Sequence, residues 1–426
     1  MTAASSPAPQ WQRKRLKFCA SYNDEVLSED TDDLEQIDYV EISDVSLADG
    51  IQRITSMPFY QAPSRARRKV RSGDILISTV RTYLKAIAAV DSATDNLIAS
   101  TGFCVVRPHR GLDSSFAGWA VRSDQFVGEV VSRSVGVSYP AINASQLVDI
   151  AIPLPPLETQ RRIAAFLDKQ VAQIDALIAR KRALLERLAE KRQAIITQTV
   201  GKGLEPNVPM KDSGIDWLGP IPAHWEAANI RRFATMKTGH TPSRSVPEYW
   251  DDCTIPWFTL ADVWQLRDGT RIYIEETAEK ISELGLANSA AELLPAGTVI
   301  FSRTASIGFS GIMPCPMATT QDFWNWICGP KLRPEYLLFL FRAMTQKFAE
   351  ITNGSTHKTI YQPIAAGLEI CVPPLAEQDA ISTKLKAAMS SIDLVRSKVA
   401  DSVERLSEYR STLITAAVTG QIEGLQ

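Results

Sequence analysis

The sequence predicts an α+β protein with an internal repeat, in which two mixed α/β segments are separated by a pair of long helices. Three observations predict this fold. Motifs in the first half of the chain recur 218 residues later. Two long stretches, 158–199 and 376–419, contain no proline or glycine and are rich in good helix formers. The remaining segments hold short apolar runs that follow turn residues, as strands do.

The repeat is visible residue by residue. Pro155-Pro156-Leu157 with Gln160 recurs as Pro373-Pro374-Leu375 with Gln378. The dipeptide Ile174-Asp175 returns as Ile392-Asp393. A duplicated unit of half the chain implies two similar modules, which can present two comparable surfaces to one quasi-symmetric partner. The proline pairs and the glycines after the helices divide the chain into four regions, 1–152, 153–205, 206–370 and 371–426.

The two long stretches predict helices of about 60 Å each. Apolar residues recur at seven-residue spacing in both helices. They are Leu167, Ile174, Leu188 and Ile195 in the first helix and Leu385, Ile392, Val399, Leu406 and Leu413 in the second. Sustained heptads indicate a coiled-coil seam. The alternative is two independent amphipathic helices, each packed on its own domain.

Composition excludes several classes of protein. No apolar run approaches the roughly 20 residues that span a bilayer, and the first ten residues lack a signal core, so we expect a cytoplasmic protein. The six cysteines are scattered and have no metal-binding spacing, so we expect no metal.

The net charge of −2 conceals strong local charge, because residues 23–49 are acidic and residues 65–71 are basic. Local patches set the electrostatic footprint on DNA.

Catalytic motifs are missing from the sequence. It has no phosphate-binding Gly-rich loop, no HExxH zinc motif, no amino-methyltransferase tetrapeptide and no Glu-x-Lys nuclease element. The four histidines lie far apart in the sequence. We therefore expect no catalytic activity from this chain alone.

Seven segments together resemble a known family. They are IPLPPLETQ at 152–160, GKGLEPN at 201–207, MKDSGIDW at 210–217, IPAHW at 221–225, GSTHKTI at 354–360, VPPLAEQ at 372–378 and AAVTGQI at 416–422. In their order and duplication they resemble the DNA-specificity subunits of type I restriction–modification enzymes over nearly the whole chain. The first half departs from the family pattern in two places. Its start at Trp11 lacks the usual lead-in, and its loop GVSYPAI at 136–142 lacks the Ser-Thr-x-Lys pattern.

The resemblance implies two target-recognition domains, 1–152 and 206–370, each reading one half of an asymmetric bipartite DNA target. It implies that the long helices run antiparallel, set the spacing, and dock two methyltransferase subunits and, through them, the restriction/translocase subunits. The chain would then be the non-catalytic subunit of an adenine-N6 methyltransferase and restriction endonuclease complex. It would bind no cofactor itself; S-adenosylmethionine would belong to the methyltransferase subunits, and ATP and Mg²⁺ to the restriction subunits.

Polar and basic side chains at strand ends and loops are the candidate contacts to double-stranded DNA. The basic run comprises Arg65, Arg67, Arg68, Lys69 and Arg71. The strand-end candidates are Ser78, Thr79, Arg81 and Tyr83 in the first half and Ser302, Arg303, Thr304 and Ser306 in the second. The loop candidates are Ser138, Tyr139, Gln321, Ser355, Thr356, His357 and Lys358. For the basic run, a solvated loop or pairing with the acidic residues 24–49 is the alternative interpretation.

Two other classes of function compete with this one. A coiled-coil scaffold could join two protein-binding domains without nucleic acid, and dispersed polar surfaces would serve that role too. A self-contained methylation or restriction enzyme is the third candidate, and the missing motifs argue against it. Binding to duplex DNA that weakens with salt, measured with the methyltransferase partner present, distinguishes the first two.

Overall fold

The computed structural model describes residues 11–109, 111–304, 307–352 and 359–425. The chain divides into two compact units. Unit 1 comprises residues 1–181 and 401–426, and unit 2 comprises residues 182–400. Each unit therefore contains one α/β domain together with one end of each long helix. The boundaries expected from the sequence instead treat each long helix as a region of its own.

Unit 1 is built mainly on two four-stranded sheets, and its elements follow in chain order. They are β1 Arg13–Arg15, β2 Ala20–Tyr22, β3 Gln36–Val40, β4 Val45–Ser46, β5 Gly50–Ile51, β6 Thr55–Pro58, β7 Ala66–Lys69, β8 Ile75–Ser78, β9 Ile87–Ala89, β10 Leu97–Ser100, β11 Phe103–Pro108, α1 Ser114–Ala120, α2 Asp124–Arg133, α3 Ala144–Leu147, β12 Ala151–Pro153 and α4 Leu157–Lys202, which continues into unit 2. The sheet orders are β6-β3-β10-β7 and β2-β11-β8-β9.

Unit 2 repeats this architecture, with one four-stranded and one three-stranded main sheet. Its elements are β13 Met210–Asp212, β14 Pro220–Pro222, β15 Glu226–Asn229, β16 Ala234–Thr238, β17 Ile255–Phe258, β18 Glu279–Ile281, α5 Glu283–Ala287, β19 Val299–Ser302, β20 Ser310–Ile312, β21 Ala318–Thr319, β22 Phe323–Cys328, α6 Pro334–Ala343, α7 Thr345–Thr352, α8 Gln362–Ala366, β23 Glu369–Val372 and α9 Leu375–Val418, which ends in unit 1. The sheet β16-β22-β19-β20 corresponds to β2-β11-β8-β9 of unit 1. The predicted mixed α/β repeat is confirmed.

The long helices complete the core of each unit. In unit 1, Ile163, Leu167 and Val171 of α4 join Ile414 and Ala417 of α9 in the cluster that also holds α1 and α2. In unit 2, α4 and α9 pack on the cluster around Trp326 and Tyr336. Burial of these apolar stripes, at about 25 cal/mol per Å², holds each helix end to its domain. Within each unit both long helices therefore contribute side chains to one apolar core.

The buried stripe departs from strict heptads within both helices. Leu167, Ile174, Leu385 and Ile392 are buried, as expected for seam positions. Leu188, Ile195 and Leu413 are only partly buried against the cores, and Val399 and Leu406 are half-buried. A straight α-helix drifts about 20° per heptad, so four heptads after Leu167 or Leu385 the drift reaches about 80°. The next residues, Ile196 and Ile414, therefore take the buried positions, with exposures of 0% and 2%.

The tryptophans of unit 2 differ in burial. Trp257, Trp324 and Trp326 are buried in the core. Trp264 is 57% exposed and carries the Arg271 guanidinium 5.1 Å above its ring. Trp264 lies in a 3-10 helix, Leu260–Leu266, which directs this side chain outward.

A buried glutamine clasps the start of each long helix to its domain. The Gln160 side chain accepts a hydrogen bond from the Asp113 amide at 2.8 Å and donates to the Gly111 and Pro155 carbonyls. Gln378 makes the same bonds with the Arg333 amide and the Lys331 and Pro373 carbonyls. Both glutamines are 0% exposed. The duplicated Pro-Pro-Leu-x-x-Gln pattern is thus a structural device that fixes the angle between helix and domain.

We expect Gln378→Ala to destabilise unit 2 by about 2 to 4 kcal/mol, because it leaves buried backbone groups without partners. Thermal unfolding of the full chain measures this loss. Gln346→Ala is the matched control, since Gln346 is exposed on α7 and its side chain bonds, within the described residues, only Glu350. Equal melting temperatures for the two variants would show that the clasp contributes nothing.

Candidate nucleic-acid interface

Two hydrogen-bonded loops form the candidate site of unit 1, which we call strand-end site 1. It comprises residues 79–85, which follow β8, and residues 134–142. The Ile142 amide donates to the Thr79 carbonyl at 2.9 Å, and Val80 pairs with Ala141. The Thr82 hydroxyl donates to the Ser134 hydroxyl at 2.7 Å. These bonds hold both loops against the end of the sheet.

The structure brings together several predicted residues at strand-end site 1. The Arg81 guanidinium stacks 4.7 Å from the Tyr139 ring centre, a cation–π contact. Arg81, Tyr83, Ser138 and Tyr139 are all exposed. Ser78 and Thr79 instead serve the scaffold, because their hydroxyls donate to the carbonyls of Val80 and Gly102 at 2.5 and 2.9 Å.

Unit 2 has the corresponding strand-end site 2 after β19. The Asp322 carboxylate accepts hydrogen bonds from the hydroxyls of Thr304 and Thr320 at 2.8 and 3.0 Å. The Arg303 guanidinium lies 4.6 Å from the Trp324 ring centre. Its Nε is buried without a hydrogen-bond partner among the described residues. The stacking fixes the orientation of the arginine and leaves its terminal nitrogens as donors at the strand end.

Backbone bonding shows which positions of the two sites correspond. Ser78 and Ser302 pair with Phe103 and Phe323, the first residues of β11 and β22. The Ile360 amide donates to the Arg303 carbonyl as the Ile142 amide does to Thr79. Arg303 therefore corresponds to Thr79, and not to Arg81. The two sites share a backbone frame but place their arginines differently, so they present different donors.

The remaining predicted residues of unit 2 lie at the edge of this site or outside the described chain. Gln321 is exposed, and its side-chain oxygen accepts a hydrogen bond from the Thr241 hydroxyl at 2.9 Å. Ser302 is buried, and its hydroxyl donates to the Thr304 carbonyl. Four predicted loop residues and one strand-end residue, Ser355, Thr356, His357, Lys358 and Ser306, lie outside the described residues.

The basic run of unit 1 is largely occupied by internal contacts. Arg65 pairs with Glu41 and Arg71 with Glu25, both at 2.7 Å. This is the pairing with the acidic stretch that the sequence left as an alternative. Hydrogen bonds from Arg107 and Arg71 lower the pKa of Glu25, so the carboxylate stays charged at neutral pH.

The other members of the run differ in exposure. Arg67 stacks over the Phe59 ring, and Arg68 is half-buried with its Nε unpaired within the described residues. Lys69, at the end of β7, is exposed. Lys69 is therefore the member of the run best placed to meet a phosphate.

A duplicated arginine–aspartate junction was missed by the sequence reasoning. In unit 1, Arg410 of α9 reaches Asp175 of α4 at 2.8 Å and the Ala48 carbonyl at 2.9 Å. In unit 2, Arg192 of α4 reaches Asp393 of α9 at 3.5 Å and donates to the Gly269 carbonyl. Both Arg192/Arg410 and Asp175/Asp393 are related by the repeat offset of 218 residues, so the signal was present in the sequence.

Each junction lies beside a second arginine from the domain, the buried Arg342 in unit 2 and the half-buried Arg122 in unit 1. Burial and the neighbouring Arg192 lower the pKa of Arg342 to about 10. Burial and the neighbouring Arg410 likewise lower the pKa of Arg122. Both arginines remain charged at neutral pH, so each junction is a compact charged contact between helix pair and domain. It joins the helices to the domain at the Ala48 carbonyl in unit 1 and at the Gly269 carbonyl in unit 2.

Among the described residues, no group of three or more His, Cys, Asp or Glu side chains is placed to hold a metal ion. Nor is any helix among those residues long and apolar enough to cross a membrane. The two strand-end sites instead offer hydrogen-bond donors, stacked guanidinium groups and exposed aromatic rings, the side-chain types that read or position nucleic acid.

Comparison with known proteins agrees with a duplicated recognition module. The family model for the type I restriction modification DNA specificity domain matches twice, over residues 33–187 and 222–405. This chain belongs to that family, the specificity subunits of type I restriction–modification systems. It is 21% identical over 417 residues to the HindI specificity subunit of Haemophilus influenzae, covering 84% of this chain and 89% of that protein. It is 32% identical to the MjaIX specificity subunit of Methanocaldococcus jannaschii over 170 residues, covering 39% of this chain and 38% of that protein.

Two solved structures share the fold. One comes from a study of complex assembly and conformational transition of the type I R-M system, with a TM-score of 0.78 and 23% identity over 98% of this chain and 100% of that one. The other is the HsdS subunit of Thermoanaerobacter tengcongensis, with a TM-score of 0.53 and 24% identity over 99% of this chain and 100% of that one.

Proposed function

We propose that this chain reads an asymmetric bipartite DNA target, with one half-site for each unit, and docks two methyltransferase subunits. The observation that carries this proposal is the pair of strand-end sites. They share one backbone frame, yet Thr79 stands where the other site has Arg303, and the remaining side chains differ as well. Equal frames with different donors suit two half-sites of different sequence, since donors at base edges specify sequence.

The long helices are proposed as the docking surface for the methyltransferase subunits. Large apolar side chains lie exposed along both helices, among them Leu177, Leu184, Leu394, Val395 and Tyr409. Exposed aliphatic and aromatic residues on an otherwise polar helix mark a protein-binding surface. Through these subunits the chain would be linked to the restriction subunits. Within the complex, S-adenosylmethionine would be held by the methyltransferase subunits, and ATP and Mg²⁺ by the restriction subunits. We place this work in the cytoplasm, with the DNA that the complex modifies.

The charge balance of the chain supports a DNA-binding surface that is shared with the methyltransferase subunits. The chain carries 46 basic and 48 acidic residues, so it cannot neutralise a long phosphate backbone by itself. Several of its arginines are also engaged by carboxylates, as Arg65 and Arg71 show. The methyltransferase subunits would supply the missing positive charge, so DNA binding is best measured with these partners present.

We expect Arg303→Ala to relax selectivity at one base pair of the half-site read by unit 2. A guanidinium stacked on Trp324 is fixed in orientation, and two parallel N–H groups can bond guanine O6 and N7, worth about 1 to 3 kcal/mol of discrimination. Binding of the assembled methyltransferase complex to duplexes with single base changes measures this. Arg303→Lys should fail to restore selectivity, because lysine lacks the planar pair of donors.

Lys69→Ala is the matched control for a phosphate contact. It should weaken binding by a similar factor for every sequence and make the salt dependence shallower by about one unit. If Arg303→Ala behaves in the same uniform way, Arg303 only positions the DNA. Failure of the wild-type complex to bind duplex DNA in a salt-dependent manner would favour the protein-scaffold alternative.

A further inference from the structure

Strand-end site 1 carries an unusually exposed apolar surface, which we call the apolar tip. Its members are Val80, Tyr83, Leu84, Val135, Val137 and Tyr139. Val135 and Val137 are 81% and 102% exposed. Single exposed apolar residues are normal, but a contiguous set on two bonded loops marks a contact surface.

The backbone beneath the apolar tip is held in place. The amides and carbonyls of Val135 and Ala141 bond each other in both directions, at 2.9 and 3.0 Å, which closes the 135–141 loop into a hairpin. Across from it, Thr82–Leu84 form one 3-10 turn between Arg81 and Lys85, with φ of 50° and 53°. Non-glycine residues adopt such positive φ only where the surroundings enforce it. The loop that carries Val137 is therefore closed at its base by two backbone hydrogen bonds.

The charge around the apolar tip favours DNA over a protein partner. Residues 79–85 and 134–142 include Arg81 and Lys85 and no aspartate or glutamate. Arg81 is stacked on Tyr139, so a cation is held against the loop that carries Val137. A basic rim around an apolar centre suits the DNA major groove, where phosphates flank the base edges.

Valine has neither a donor nor an acceptor, which limits what it can read. In the major groove the C5-methyl group of thymine is the apolar feature of the base edges. Resting on the proposed function, we propose that Val137, supported by Val135, contacts a thymine methyl group in the half-site read by unit 1, while Arg81 and Lys85 contact the flanking phosphates. In unit 2 the aligned sequence 354–358, Gly-Ser-Thr-His-Lys, is polar, so this mode of reading belongs to unit 1 alone.

Deoxyuridine replacement tests the proposal, because it removes the thymine methyl and leaves every hydrogen-bonding group unchanged. The target comes from methylation-sensitive sequencing of the host DNA, and binding is measured with the assembled methyltransferase complex. We expect one thymine of the unit 1 half-site at which deoxyuridine weakens binding about four-fold, the contribution of one buried methyl group. Val137→Ser should weaken binding to the thymine duplex by a similar factor. On the deoxyuridine duplex it should cause no further loss of affinity, since the two changes remove the same contact.

Val26→Ser is the control, because Val26 is 55% exposed and lies outside the apolar tip. It should leave both affinities unchanged. Specific binding that is insensitive to deoxyuridine at every thymine overturns the proposal while leaving the proposed function intact. If Val137→Ser weakens binding equally on the thymine and deoxyuridine duplexes, the proposal is also overturned. A simultaneous decrease in DNA bending would then favour a minor-groove wedge. A decrease in methyltransferase assembly in the absence of DNA would favour a protein contact. If the wild-type complex instead shows no sequence-specific DNA binding, the proposed function itself is overturned.

Discussion

Four residues inserted after Ala189 in α4 alone should abolish target recognition. The junctions Asp175–Arg410 and Arg192–Asp393 lie on opposite sides of Ala189 in the sequence of α4, and both follow one antiparallel register of α4 against α9. The insertion lengthens α4 by about 6 Å, roughly one turn. Because α9 keeps its length, one of the two junctions must lose its partner. We expect loss of methylation in the assembled complex, measured by methyl transfer to target DNA.

A second insertion of four residues in α9, after Val395, is the matched control. It lies opposite Ala189 in the register set by Arg192 and Asp393, so both junctions survive in the double insertion. We expect activity to return on a target whose spacer is longer by about two base pairs, at 3.4 Å per pair, with both half-sites unchanged. An unchanged spacer with full activity would show that helix length does not set the spacing.

Exchange of residues 222–370 for the matching segment of a relative should change one half of the methylated target and leave the other half as it was. Besides the apolar packing, the polar contacts between the helices and this domain go largely to backbone atoms. Gln378 bonds the Lys331 carbonyl and the Arg333 amide, and Arg192 bonds the Gly269 carbonyl. Backbone groups are present whatever the side chains are, so the junctions tolerate a new domain sequence. Methylation-sensitive sequencing identifies the new target.

The reciprocal exchange of residues 12–152 should alter only the other half-site. Gln160 and Arg410 hold this domain in the same way, through the Gly111 and Ala48 carbonyls. A chimera in which both halves of the target change, or neither, contradicts independent reading by the two units. The melting curve identifies a chimera that is misfolded, because it does not unfold cooperatively. For such a chimera, the exchange boundary is moved within the proline pair to restore the glutamine clasp.

Much of the architecture follows from local patterns in the sequence. Absence of proline and glycine predicts both long helices, and α4 and α9 are found where those stretches lie. Apolar runs after turn residues predict β19 and β22, and β22 covers Phe323–Cys328 as expected. These features depend on neighbours in the chain, since helix formation and strand alternation are short-range. The repeat offset likewise relates Gln160 to Gln378 before any contact is known.

Contacts between distant segments decided the candidate site. Thr79 and Arg303 correspond because of a backbone bond to residues more than fifty positions away, and no local pattern shows this. The basic run looks free in sequence, yet Arg65 and Arg71 meet Glu41 and Glu25 across strands. Val137 is exposed on a hairpin that backbone bonds between Val135 and Ala141 close. The sequence by itself therefore determined the repeat, the helices and the family. Only the tertiary structure decided which side chains are free to meet DNA, because that freedom depends on which distant groups pack against them.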